Sequence, residues 1–167
     1  MLGLLVTAAM VGCQRTQVDS PILTDYPAED DAAGMAYWHG LADRPLVNNN
    51  EALNGLIVLI NSDDPTQSYE QRVQWLAERD YIEAGFDRPP NESVERGLIA
   101  SVIAQVLDIE GGLTMRLIGP HPRYATRELV YLDIMEPGTS QQGMSGIEFV
   151  GLIAEAEQRL ENERDVQ

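Results

Sequence analysis

The chain contains no lysine. All 11 of its basic side chains are arginine, set against 27 carboxylates, and the formal charge is −16. That imbalance excludes nucleic acid as an electrostatic partner and makes an anionic surface repulsive. Cysteine occurs once, at Cys13, so no internal disulfide can form. Histidine occurs twice, at His39 and His121, and without a cysteine cluster these leave no recognisable zinc site. The aspartate doublets Asp30-Asp31 and Asp63-Asp64 lack the glycine and alternating oxygen ligands of a calcium loop. No metal and no cofactor are expected. His39 stands four residues before Asp43, but no nucleophile accompanies the pair, and a packing role for the imidazole is the simpler reading. At 167 residues the chain is long enough for one domain with a core, or one domain and a tail.

Long hydrophobic runs are also scarce. Residues 1–12, MLGLLVTAAMVG, carry no charge, yet fall short of the roughly 20 apolar residues a membrane-spanning helix needs. They have the length of the apolar region of a secretory signal. Met10, Val11 and Gly12 before Cys13 resemble a bacterial lipobox, with Gly12 at the cut position. Met10 replaces the more usual leucine, and no basic residue precedes the run. The resemblance implies removal of residues 1–12 and lipidation of Cys13, hence export and attachment to a membrane of the cell envelope. Two or three acyl chains anchor stably where one binds only marginally. The competing reading is an ordinary buried helix with a buried thiol.

Residues 13–34 are rich in acids and contain Pro21 and Pro27, a composition that suits a solvated linker. The domain is expected over 35–163, with a disordered tail at 164–167. Its hydrophobic periodicity is helical, which makes the chain all-α. The spacing predicts helices over 49–61, 68–82, 93–107, 123–134 and 145–163. Leu113–Ile118 is ambiguous between a short helix and a strand.

Gly-Leu-Ile recurs at 55–57, 97–99 and 151–153, each time in a predicted helix preceded by a polar, turn-forming stretch. Three starts carry a cap and an acid at related spacing: Asn48-Asn49-Asn50-Glu51, Ser93-Val94-Glu95-Arg96 and Ser145-Gly146-Ile147-Glu148. The first and last form the capping-box pattern, in which two otherwise unpaired backbone donors are satisfied reciprocally. These blocks, with 68–109 the fullest, resemble surface-layer homology (SLH) repeats, whose second helix opens on a Thr-Arg-Ala-Glu-type motif. The resemblance implies short helices in helix-loop-helix blocks forming a three-unit bundle over about 45–160. In such domains the motif arginine contributes to binding an anionic cell-wall polymer. Here Asn49, Val94 and Gly146 occupy those places, with Arg96 where the acid is expected.

Arg116, His121, Arg123, Tyr124 and Arg127 form the one local positive cluster in an acidic chain. An arginine fork matches planar anions, so this is the candidate ligand patch for a carboxylate, sulfate or sugar acid. The alternative is that these arginines pair with neighbouring acids. No catalytic residues are assigned, because no catalytic motif assembles. The expected role is a non-catalytic envelope lipoprotein, structural or an adaptor for another envelope protein. A carbohydrate-binding module using the arginine and tyrosine patch is the alternative. A hydrolase acting on envelope polymers is the least supported reading.

Overall fold

A computed structural model describes residues 16–18, 26, 30–112, 115 and 119–165. Among these the chain is all-α, with α1 at Asp31–Ala42, α2 at Asn49–Asn61, α3 at Tyr69–Ala77, α4 at Arg96–Val106, α5 at Pro122–Tyr131 and α6 at Gly146–Asp165. In chain order the helices fall into three successive pairs, α1–α2, α3–α4 and α5–α6, which are neighbours in sequence rather than packing partners. No helix among the described residues is long and apolar enough to cross a membrane.

α2 is the axis of the bundle. Asn49 through Val58 are all buried, so this stretch is enclosed on every side, its polar groups Asn49, Asn50, Glu51 and Asn54 included. It packs against α3, α4 and α6, while α4 packs on α5 and α1 on α6. Leu53, Leu56, Ile57, Leu76, Ile99, Ile103, Leu129 and Phe149 belong to one contiguous core.

The second helix of each pair is preceded by a short extended segment, and the three segments meet. Val47 N–H donates to the Met144 carbonyl (2.9 Å) and Val94 N–H to the Val47 carbonyl (3.0 Å). Isolated antiparallel bridges join Asn48 to Ser93 and Glu95 to Gly143. Val47, Val94 and Met144 are buried at this junction. Backbone hydrogen bonding around an apolar centre thus closes the three helix pairs on one another.

A second repeat closes the helices. α3, α4 and α5 end on the same turn, with Asp80, Asp108 and Asp133 at φ 60°, 47° and 55°. The next residue donates back to the carbonyl five positions earlier: Tyr81 to Leu76 (3.0 Å), Ile109 to Ala104 (2.9 Å) and Ile134 to Leu129 (2.9 Å). Each aspartate also donates to the carbonyl three positions back, at 3.1, 3.1 and 3.2 Å respectively. These are Schellman closures, with aspartate in the left-handed place that glycine usually takes.

The two kinds of junction explain where helix bounds depart from periodicity. The helix expected over 68–82 ends at Ala77 and that over 123–134 at Tyr131, each stopped by its left-handed aspartate. The helix expected from 93 opens at Arg96, because Ser93 and Val94 are held extended by Asn48 and Val47. Its N-cap is therefore Glu95, whose side chain makes no cap bond, and Arg96 becomes the first residue of α4. The linker boundary also moves. α1 begins at Asp31, inside the segment expected to be solvated, and Asp30 caps it through Ala32 and Ala33 N–H. Thr16–Val18 is docked rather than free: Ser93 N–H donates to Thr16 and Val18 N–H to Asn91, at 2.9 and 2.8 Å. At the other end α6 runs through Asp165, into the expected tail. Of Leu113–Ile118 only Met115 is described; it is helical and buried.

Candidate functional site

Most charged groups in the interior have structural work. Asn48 and Glu51 form a complete capping box on α2, and Glu51 also meets Arg44 at 2.9 Å. At the start of α6, Ser145 N–H and hydroxyl both donate to Glu148 Oε2, at 3.0 and 2.6 Å. Glu148 Oε1 accepts from Arg96 Nη1 at 2.7 Å, and Arg96 Nη2 donates to the Glu136 carbonyl. Arg96 is 1% exposed, so this guanidinium is enclosed between the second and third helix pairs. The Ser145 hydrogen bond, opposed by partial burial and then reinforced by Arg96, holds the Glu148 carboxyl below its ordinary pKa.

Another buried network ties α1, α2 and α3. Tyr37 hydroxyl donates to Asn54 Oδ1, and Asn54 Nδ2 to Asp64 Oδ2. Arg72 Nε donates to Asp64 Oδ2 (2.6 Å) and Arg72 Nη1 to Asn50 Oδ1 (2.7 Å). Burial disfavours the Asp64 carboxylate, but hydrogen bonds from Thr66, Arg72 and Asn54 outweigh it and keep its pKa low. Asp64 is thus spent on protein donors. The network is hidden in the sequence, where Asp63-Asp64 reads only as a doublet without the pattern of a calcium loop. Its one signal is the pair Asn50 and Asn54, a turn apart on α2.

Two concavities occupy equivalent places in the repeat. Each lies between the loop of one helix pair and the first residue of another pair's inner helix. The larger, about 640 Å³, is walled by 80–88, the 92–95 segment, the outer side of α4 and 120–122, with Asn49 at its edge. Asp80, Glu83, Asp87, Glu92 and Glu95 line it, and Arg88 stands 3.3 and 3.6 Å from Glu92 and Glu95. With five carboxylates around one arginine and His121, it repels anions and suits hydroxyls or cations. The smaller, about 510 Å³, lies between 130–137 and the first turns of α6, with Arg96 at its edge.

The expected ligand patch divides. His121 lies exposed at the start of α5, its Nδ1 accepting from Arg123 N–H at 3.4 Å, and lines the larger cleft. Tyr124 and Arg127 turn instead to a shallow pocket of about 490 Å³ shared with Met115, Glu128 and Tyr131. The His121 and Tyr124 rings are 5.9 Å apart at the boundary between the two. Arg123 is exposed and lines neither. Arg116 and the lipidation candidate Cys13 lie outside the described residues. His39 and Asp43 are exposed at the end of α1 and are joined through the backbone, Asp43 N–H to the His39 carbonyl (3.2 Å). Among the described residues no three His, Cys, Asp or Glu side chains gather as a metal set.

Gly146 is fixed by close backbone packing. It is the first residue of α6, its N–H donates to the Arg44 carbonyl (2.9 Å), and a methyl group there would collide with the Leu41 carbonyl oxygen. No arginine fits. The first helical residues of α2, α4 and α6 are Asn49, Arg96 and Gly146. No family model matches the chain, and no curated protein or solved structure matches it.

Proposed function

We propose that this chain is a non-catalytic lipoprotein of the bacterial cell envelope, anchored through Cys13 and acting as a protein-interaction adaptor with an SLH-like helical body. The observation that supports it is the use made of interior charge. Asp64 and Glu148 have pKa values lowered by pairing that joins helices, whereas a catalytic acid or base is usually tuned toward the working pH in an open cleft. A body clamped in this way suits presentation of fixed surfaces to a partner. Crosslinking in envelope preparations, comparing the natural chain with Cys13→Ser, is the test. The adaptor reading expects a discrete protein adduct that depends on the anchor, and an absence of any adduct would contradict it.

A second reading is a carbohydrate-binding module for an envelope polymer. The pocket that gathers Tyr124, Arg127 and Tyr131 favours it, because Tyr131 is 79% exposed and lines it together with Arg127. Calorimetric titration with acidic envelope glycans would separate the readings: saturable heat abolished by Arg127→Ala supports the module.

A further inference from the structure

We propose that the groove between 130–137 and the first turns of α6 docks an apolar helical segment flanked by arginine or lysine, carried by the partner protein. This rests on the adaptor reading and gives that role a surface. Its starting point is Gly151. The three Gly-Leu-Ile glycines lie in helices, where glycine costs up to about 1 kcal/mol relative to alanine. Two of them have reasons within the chain. A methyl group on Gly55 would press on the Phe149 ring at 2.8 Å, and one on Gly97 on Pro122 at 2.7 Å. Gly151 is exposed, and a methyl there would meet nothing within 4 Å. What its missing side chain opens is the groove, which Gly151 lines.

The surroundings suit the close approach of another backbone. Ile147, one turn before Gly151, is 68% exposed, and Met135, Met144 and Leu152 line the same groove. Asp133 and Glu136 stand exposed at its edge, whereas the Arg96 charge is taken up by Glu148 and the Glu136 carbonyl. An apolar floor with a negative rim selects an apolar ridge with positive flanks. A second copy of this chain, at −16, brings the wrong sign.

The test is a fluorescence-anisotropy titration of the natural chain with a labelled 18-residue amphipathic Leu/Arg helical peptide. The proposal expects saturable one-to-one binding that Gly151→Leu weakens at least tenfold. That variant leaves every charge in place, and its folding is checked by circular dichroism and thermal melting. Gly85→Leu, in the larger cleft, should leave affinity unchanged. Equal affinity for Gly151→Leu and the natural chain overturns the proposal, as does an equal loss in Gly85→Leu, or an absence of saturable binding. Self-association of the natural chain in sedimentation that Gly151→Leu abolishes overturns it too, by making the occupant a second copy. The envelope crosslink keeps the two claims apart: an adduct that persists in Gly151→Leu removes the groove and leaves the adaptor standing.

Discussion

Arg96 joins two helix pairs through Glu148. Its Nη1 lies 2.7 Å from Glu148 Oε1, while Oε2 of the same carboxylate accepts from Ser145 at the start of α6. One acid thus caps its own helix and holds the first residue of α4. Truncating Arg96 removes a buried guanidinium from both Glu148 and the Glu136 carbonyl, so Arg96→Met should cost about 2–4 kcal/mol in urea unfolding. Glu148 is a third exposed, and glutamine keeps one acceptor oxygen while its amide NH2 faces a donor at the other place, so Glu148→Gln should cost about 1–2 kcal/mol. Additive losses in the double variant would show that the two side chains are not coupled.

Glycine substitutions on α6 should have opposite signs five residues apart. At Gly146 a methyl group meets the Leu41 backbone, which cannot swing away as a side chain would. Gly146→Ala should destabilise by about 1–3 kcal/mol or more. Gly151→Ala fills open space on a helix and should stabilise by about 0.5–1 kcal/mol. Thermal unfolding of the two variants checks both signs.

The three left-handed aspartates offer a further test of the repeat. Asp108 is exposed and adopts φ 47°, where glycine has no Cβ penalty, so Asp108→Gly should raise stability by up to about 1 kcal/mol. A gain for Asp108→Gly and a loss for Asp108→Val is the expected pair in chemical denaturation.

Much of this was written in the sequence at the level of periodicity. The apolar run of α2 and the capping acids Glu51 and Glu148 could be read directly, because capping and burial leave local patterns. The closing turns could not be read as stops. RDYI, LDIE and LDIM share an aspartate before an apolar residue, but glycine is the usual sign of a left-handed helix end. The start of α4 departs from its local pattern for a different reason. Ser93 is a good cap by composition, and a contact with Asn48, 45 residues away, overrode it. The described members of the candidate patch face two ways, Tyr124 and Arg127 lining one pocket and His121 the other, which local sequence does not show.

Acid and alkali should weaken the fold through different residues. Asp64 and Glu148 have depressed pKa values in the folded chain, so their contribution is present above about pH 4, where unfolded carboxyls ionise. It is lost as pH falls through the lower folded values, and Asp64→Asn should flatten that acid limb. Tyr69 behaves in the opposite sense: burial, and then the charges of Glu92 and Glu70, raise its pKa. Its unfolded phenol ionises near pH 10, so stability declines as pH rises past about 10. Tyr69→Phe should remove that decline, at a neutral-pH cost of about 0.5–1.5 kcal/mol for the hydrogen bond to the Arg88 carbonyl. Stability measured across pH 2–11 checks both limbs.

Anchoring through Cys13 would set where any partner is met. Mass spectrometry of the amino-terminal peptide of the protein expressed in a bacterial host tests it most directly. The expected result is a chain beginning at Cys13 and carrying a diacylglyceryl thioether, with an unlipidated form in Cys13→Ser. An unmodified Cys13 still preceded by Gly12 would contradict it.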